Sequence, residues 1–338
     1  MKPNKKNFCG GNFSDWLEVM LIDKCNGRCQ WCIEKEGYHP SEHVTWQKLA
    51  DSIEKTGKKN IILLGGEPPL YVNLREIINK LSDKGMNVYL TTNGSRITPA
   101  FVKECLLRLR GINISIHDYD LTKNRHITGI NLNEENLKKA INSFISSTVR
   151  LNCNLIKGNI DSYEQIHHYI EFAKRIGADS VRFAELKNSE SEFVDLTDIF
   201  GSKYGINNEP FGLGCNTDVV LERMPVNFRQ MCGLQTNKRT RPQNPEQAKK
   251  QVMYYDGNIY DGWQRKDIIV MINLIKMILE ENKKGNIADS VALNILNAIK
   301  GDENSVPQKK EKPVSKKVSK KAKEAKEYVA ASSIGCQY

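Results

Sequence analysis

Three closely spaced cysteines follow the first β-prone run of the chain. The segment reads Cys25-Asn-Gly-Arg-Cys29-Gln-Trp-Cys32, a C-x3-C-x2-C pattern. This spacing lets three thiolates of one loop bind three irons of a cubane cluster, and it leaves the fourth iron open to an external chelator. A zinc site is an alternative, but structural zinc needs a fourth ligand and His39 is the near candidate. Chance clustering is the third interpretation.

A glycine-rich turn, Gly65-Gly66-Glu67-Pro68, ends the second apolar run. Glycines let a backbone approach a ligand closely, while exposed carbonyls and Glu67 offer acceptors to an ammonium group. Alone, this motif is weak evidence, because it can be merely a turn. Other polar residues that end β-prone runs are Thr92, Asn93, Ser115 and Asn154.

The elements that position these residues alternate between β-prone runs and amphipathic helical stretches. Strands are predicted at 16–23, 60–68, 87–94, 111–117, 149–158 and 180–187, and helices at 45–57, 73–85, 98–109, 133–147 and 162–177. Apolar strands joined by helical crossovers predict a parallel sheet with helices outside. Six such units are too few for an eight-stranded barrel, so we expect an α/β fold, a partial (β/α)6 TIM-like barrel. In such folds the chemistry lies at the carboxyl ends of the strands, where the polar residues fall.

The cysteine loop and the Gly65–Pro68 turn resemble the motifs of the radical S-adenosylmethionine (SAM) superfamily. The match includes the aromatic Trp31 before the last cysteine. The resemblance covers about residues 14–190. It implies a [4Fe–4S] cluster on the three cysteines and a turn that binds the amino group of SAM.

The resemblance also extends to the later strand ends, where it implies contacts with SAM. Thr92, Asn93, Ser115 and Asn154 match polar groups that position SAM, and the last two would suit its ribose hydroxyls or carboxylate. Ordinary strand-end polar residues are the alternative for each. Trp31, Gly65, Gly66, Glu67 and Pro68 complete the implied cofactor-binding set.

The activity implied by the resemblance is reductive cleavage of SAM. An electron donor such as flavodoxin or ferredoxin would reduce the cluster, and a 5′-deoxyadenosyl radical would abstract hydrogen from a substrate. The protein would exclude water and hold the target hydrogen close. Arg182 and Glu185 of the sixth strand are candidates to point into the barrel, and a strand-end ion pair without a catalytic role is the alternative.

The β-α rhythm stops after residue 190. The segment 195–250 is predicted to be loop-like, and 251–263 a β-hairpin around Asp256-Gly257. The hairpin resembles the SPASM or twitch extensions of peptide-modifying radical SAM enzymes. Those extensions carry cluster cysteines, whereas here Gly262 or Trp263 occupies the position of the second cysteine. We interpret the region as a degenerate, twitch-like extension without its cluster.

Few cysteines remain in this half of the chain, namely Cys215, Cys232 and the remote Cys336. Cys215 or Cys232 is a candidate hydrogen-atom donor to a substrate radical, and both together are candidates for a smaller metal centre. With Glu185 they form the predicted catalytic set. The resemblance also includes the branch of GTP 3′,8-cyclase, but the C-terminal cluster cysteines and the terminal Gly-Gly of that enzyme are absent, which disfavours that activity.

Five parts are predicted along the chain. They are an N-terminal segment (1–13), the barrel core (14–190), a twitch-like loop and hairpin region (191–265), C-terminal helices (266–301) and a basic low-complexity tail (302–338). The tail is rich in lysine, so it would attract phosphate backbones without reading bases. A plain solubilising tail is the alternative.

Composition narrows the classes of partner. The 338 residues carry a formal net charge of +10, which favours anionic partners. We therefore expect a nucleotide or nucleic-acid base as substrate, with a peptide as the alternative. A non-catalytic iron–sulfur or zinc protein that binds nucleic acid is the hypothesis from another class. Nine dispersed cysteines, no signal-like segment and no membrane-length apolar run predict a cytoplasmic protein without a membrane partner.

Overall fold

The computed structural model describes residues 15–29, 31–35, 37–186, 192–200, 216–231, 251–263 and 266–299. These residues divide into two compact units. One holds the described residues up to 35 and from 39 to 262, and the other holds 37–38 and the described residues from 263 onward. Within this part of the chain, no helix has the length and apolar character needed to span a membrane.

The first unit is built on one sheet, which has ten strands among the described residues. They are β1 Trp16–Met20, β2 Asn60–Leu64, β3 Asn87–Thr92, β4 Gly111–Ser115, β5 Thr148–Asn154, β6 Ser180–Ala184, β7 Asn216–Leu221, β8 Met224–Arg229, β9 Gln251–Met253 and β10 Ile259–Asp261. The order across the sheet is β10-β9-β1-β2-β3-β4-β5-β6-β8-β7. Strands β1 to β6 are parallel neighbours in chain order, which confirms the predicted partial barrel.

Helices connect these strands, and all but α4 and α7 lie at predicted places. They are α1 Trp46–Lys55, α2 Leu74–Asp83, α3 Pro99–Phe101, α4 Leu121–Thr128, α5 Glu134–Ile141, α6 Tyr163–Ile176 and α7 Leu196–Phe200. Side-chain caps fix several starts: the Ser162 hydroxyl, for example, accepts the Gln165 N–H at 3.3 Å and begins α6. Gly85 follows the end of α2 with φ +73°, as its predicted capping role requires.

The core lies between the sheet and these helices. Alternate residues of each strand face the helices, so Leu17 and Val19 of β1 and Ile61 and Leu63 of β2 are fully buried. The helices contribute apolar residues at helical spacing, as Ile166, Ile170 and Ala173 do on α6. Each fully buried aliphatic side chain contributes about 2 kcal/mol of transfer free energy, so the core holds the strand ends in fixed positions.

The opposite face of the sheet is polar from β3 to β8. Here the Asn113 amide donates to Thr91 Oγ1 at 3.1 Å, and Arg182 Nε donates to Asn227 Oδ1 at 2.7 Å. Arg150 of β5 lies on the same face, and its Nε donates to an asparagine of its own strand. The sequence predicted near-continuous apolar strands. From β3 to β8, only the face of the sheet that packs against the helices is apolar.

One prediction about local structure is wrong in the described residues. The segment 195–250 is not purely loop-like, because it contains α7 and the antiparallel pair β7–β8, which extends the sheet beyond β6. The predicted helix at 98–109 is present as α3 followed by a π-helical turn over Val102–Leu106. Helix α4 was not predicted.

The predicted hairpin at 251–263 is confirmed by the antiparallel pairing of β9 with β10. Strand β9 also pairs in parallel with β1, so the hairpin continues the sheet on the side away from β2. The Tyr255 hydroxyl donates to the Pro40 carbonyl at 3.1 Å, and His43 stacks on the Tyr255 ring at 4.0 Å between centroids.

The second unit contains a pair of helices, α8 Lys266–Lys283 and α9 Asp289–Ile299. Ile275 and Ile278 of α8 pack with Ala292 of α9, all nearly inaccessible to solvent. The turn between them uses Gly285 at φ +76°. The basic tail at 302–338 lies outside the described residues.

Candidate cofactor site

The cysteine loop follows β1 at the carboxyl edge of the sheet. Cys25 is exposed, whereas Cys29 and Cys32 are half-buried, and all three are free thiols. The pKa of the Cys29 thiol is raised to about 11, mainly by burial and also by the charges of Cys32 and Cys25. The three sulfurs therefore lie close enough to repel one another as thiolates. A bound cation that accepts thiolate ligands would remove that repulsion.

A site for a single metal ion requires several ligands that converge on one point. Among the residues described here, no three His, Cys, Asp or Glu side chains are grouped so as to hold one metal ion. In a [4Fe–4S] cluster each cysteine binds a different iron, so the ligands surround a larger group instead of converging on one point. His39, the candidate fourth zinc ligand, has its Nε2 against the Glu34 carbonyl at 2.8 Å.

Helix α4 holds one side of the cysteine loop. The Arg28 N–H donates to the Thr128 carbonyl at 2.7 Å, at the end of α4. Gly129, at φ +76°, ends the helix, and a Cβ there would lie 2.6 Å from Cγ of Arg28. The Arg28 side chain therefore lies over the C-terminal turn of α4, in the position that a Cβ at residue 129 would take.

The Gly65–Pro68 turn holds the other side of the loop through backbone contacts. The Gly66 N–H donates to the Ile22 carbonyl at 2.6 Å, and the Glu67 N–H donates to the Lys24 carbonyl at 2.8 Å. A Cβ on Gly65 would lie 2.4 Å from the Ile22 oxygen, and one on Gly66 would lie 2.2 Å from the Lys24 oxygen. Because the obstructing atoms are backbone, both positions require glycine.

Glu67 lies almost fully buried, 1% exposed, behind this turn. One carboxylate oxygen is hydrogen-bonded to the Thr92 hydroxyl, and the other accepts the Asn93 N–H at 2.8 Å. Burial raises the pKa of Glu67 to about 7, although both hydrogen bonds act in the opposite direction. A cationic ligand group beside it would favour the ionised form. In this arrangement the Glu67 carboxylate fastens the Gly65–Pro68 turn to the end of β3.

The side chain of Asn93 turns toward the cysteine loop. Its Nδ2 donates to Asn26 Oδ1 at 2.8 Å and lies 4.0 Å from Cys25 Sγ, while its Oδ1 accepts the Ser95 N–H at 2.9 Å. Asn26 donates in turn to Ser95 Oγ at 2.9 Å. The loop after β1 and the end of β3 are thus joined by side-chain hydrogen bonds.

Ser115 and Asn154 lie at the carboxyl ends of β4 and β5, both half-buried. Nearby, His117 was not among the predicted site residues. Its Nδ1 accepts the Asn154 N–H at 3.0 Å, and its ring meets Trp31 edge-on at 5.3 Å between centroids. Burial lowers the pKa of His117 to about 4, so the ring is neutral near pH 7 and carries its proton on Nε2.

Of the three predicted catalytic residues, the structure describes Glu185 only. Cys215 and Cys232 lie outside the described residues. Glu185 is buried, and its two carboxylate oxygens accept the N–H groups of Leu196 at 2.9 Å and Met231 at 2.8 Å. These contacts fasten the segments after β6 and β8 to each other. A catalytic role for Glu185 stays a prediction.

The geometry defines a class of protein: a partial α/β barrel with a candidate cofactor site where β1, β2 and β3 end. A family model described as the radical SAM superfamily matches residues 19–175, which contain every predicted cluster and SAM residue. This part of the chain is a radical SAM domain. The superfamily uses a [4Fe–4S] cluster together with SAM.

Curated relatives lie in one branch of this superfamily. The probable GTP 3′,8-cyclase of Sulfurisphaera tokodaii is 32% identical over 178 residues, which cover 50% of this chain and 55% of the relative. The GTP 3′,8-cyclase of Aquifex aeolicus is 26% identical over 258 residues, covering 72% and 71%. The chain spans little more than half of the Sulfurisphaera relative.

A solved structure shares the fold. Streptococcus suis SuiB superposes with a TM-score of 0.52 at 17% sequence identity, over 74% of this chain and 60% of SuiB. SuiB has also been crystallised with S-adenosylmethionine, with a TM-score of 0.52 to this chain. At this identity the likeness concerns the fold alone.

Proposed function

We propose that this chain is a radical SAM enzyme in which Cys25, Cys29 and Cys32 bind the [4Fe–4S] cluster. The observation that carries the proposal is the direct bonding between motifs from three strands. Backbone hydrogen bonds join the cysteine loop to the Gly65–Pro68 turn, and Glu67 is bonded to Thr92 and Asn93 at the end of β3.

The residues of this chain would bind and orient SAM. Glu67 would accept its ammonium group, and Gly65 and Gly66 would keep the turn that carries Glu67 against the backbone of the cysteine loop. Ser115 and Asn154 would contact the ribose hydroxyls or the carboxylate. When bound, the cluster and SAM supply a 5′-deoxyadenosyl radical that abstracts hydrogen, with the electron coming from a donor such as flavodoxin or ferredoxin.

For the substrate we favour a nucleotide or a nucleic-acid base. The curated relatives are named GTP 3′,8-cyclases, so their substrate is a nucleotide. The net charge of +10 favours an anionic partner, and much of it lies in 238–250 and the tail, outside the described residues. The product need not be that of the cyclases, because their C-terminal cluster cysteines are absent.

A peptide substrate is the second candidate. It is favoured by the β9–β10 hairpin, which has the Asp-Gly turn expected for a twitch-like extension. Deuterium-labelled substrates distinguish the two classes, because the hydrogen abstracted from the true substrate is transferred to 5′-deoxyadenosine. Enzyme incubated with SAM and a nucleotide deuterated on its ribose or base should form deuterated 5′-deoxyadenosine if the first proposal is right. Deuterium transfer from a labelled peptide, and none from nucleotides, would favour the second.

The cofactor assignment is tested by anaerobic reconstitution with iron and sulfide, followed by dithionite and SAM. We expect about four irons per chain and formation of 5′-deoxyadenosine. Cys29→Ala should abolish both, whereas Cys105→Ala, which removes a thiol on the π-helical turn, should leave both unchanged. Stoichiometric zinc without 5′-deoxyadenosine would instead favour the non-catalytic, nucleic-acid-binding alternative.

A further inference from the structure

Asn93, at the end of β3, contacts both of the other motifs that form the candidate site. Its backbone N–H donates to Glu67, and its side-chain amide donates to Asn26 of the cysteine loop at 2.8 Å. The same amide nitrogen lies 4.0 Å from Cys25 Sγ. The Asn93 side chain thus reaches a predicted cluster ligand from another strand.

Local hydrogen bonds fix the orientation of the Asn93 amide. Its oxygen accepts the Ser95 N–H at 2.9 Å, so the NH2 group must face the cysteine loop. One hydrogen of that group is directed at Asn26 Oδ1. The second hydrogen is therefore available to the sulfur, which accepts at longer distances than oxygen because its lone pairs are more diffuse.

Cys25 has a second donor on its other side. The Gly27 N–H donates to Cys25 Sγ at 3.2 Å. The Cys25 sulfur therefore faces two N–H donors, one from its own loop and one from the end of β3. The backbone donor belongs to the loop itself, whereas the Asn93 amide comes from another strand and can be removed by substitution.

We infer that Asn93 is a positioning residue for Cys25. Its side-chain amide donates to the Cys25 sulfur and thereby raises the reduction potential of the cluster. The inference rests on the proposed function, because it takes Cys25 as a cluster ligand. A hydrogen bond to a ligating sulfur stabilises the more negative, reduced cluster and makes reduction easier. Through its backbone, Asn93 also holds Glu67, so one residue links the group that accepts the electron to the group that would bind the SAM ammonium.

The test compares midpoint potentials of the reconstituted cluster without SAM, followed by EPR during a redox titration. Asn93→Ala removes the donor, and Asn93→Asp keeps the size and the acceptor for Ser95 but replaces the donor with a negative charge. We expect a more negative potential in both, with the larger shift in Asn93→Asp. Asn113→Ala, which loses an amide hydrogen bond in the same sheet away from Cys25, should keep the wild-type potential.

The possible results distinguish a failure of the proposed function from a failure of the role of Asn93. A wild type that assembles no cluster overturns the proposed function itself. Variants that hold wild-type iron with a wild-type potential overturn only the inference about Asn93. Loss of the cluster from both variants also overturns it, because Asn93 would then be needed for assembly and not for the potential.

Discussion

At the residue scale, the buried carboxyl of Glu67 makes the stability of the cofactor-free protein depend on pH. Its pKa is raised by burial from the ordinary 4.5 to about 7. Between these values the unfolded chain releases a proton that the folded chain keeps, so the free energy of unfolding falls as pH rises from 4.5 to about 7. Above the folded pKa the loss is complete.

Glu67→Gln should remove this dependence, because the amide does not ionise. Compared with wild type, the variant should gain on the order of 2–3 kcal/mol in relative stability between about pH 4.5 and about pH 8. Urea unfolding of the cofactor-free proteins at both pH values measures the difference. An unchanged difference between the two proteins would show that Glu67 ionises normally in the folded state.

The sequence predicted site residues whose type and spacing are themselves informative. The cysteine spacing and the Gly65–Pro68 turn could be found this way, since a loop or turn motif is local. Asn26 and His117 could not, because their roles depend on partners far along the chain, such as Ser95 and Asn154. The signal available for His117 was its position after β4, beside Ser115.

At the element scale, α4 shows why a helix that positions the site was missed. Its buried side chains are Asn124 and Thr128, so it has no apolar stripe at helical spacing. The remaining signals were the Asp120 cap, which accepts the Thr122 N–H, and the glycine at its end. Strands β7 and β8 were missed because four glycines and a proline in the preceding segment 201–215, which is outside the described residues, predict a loop.

Helix α4 should control how firmly the cysteine loop is held. In Gly129→Ala the new methyl group would meet Cγ of Arg28, so the Arg28 side chain would have to leave its place on the C-terminal turn of α4 and its packing there would be lost. We expect the reconstituted variant to lose iron to a chelator several-fold faster than wild type. Gly158→Ala is the matched control, because Gly158 also has a positive φ (+84°) but has no atom within 4 Å of its Cβ position. Equal rates in the two variants would argue against the role of α4.

At the scale of the first unit, β9 protects the strand that leads into the cysteine loop. β1 pairs with β2 on one side and with β9 on the other, through Leu17, Glu18 and Val19. Without β9 the backbone groups of that edge would be open to pairing with other chains.

Truncation tests this protection. A chain ending at residue 250 lacks β9 and β10, and we expect it to pellet on centrifugation after expression. A chain ending at residue 263 keeps both strands and should stay in the supernatant. Equal recovery of the two chains would show that the edge of β1 needs no cover.

The same pairing has a consequence for synthesis. A ribosome makes β1 and the cysteine loop early, but residues 251–253 emerge only after most of the barrel. During that interval β1 has one neighbouring strand, and nascent chains on the same messenger RNA are close enough to pair through it. The time between the emergence of β1 and of β9 is therefore when this chain most needs a chaperone.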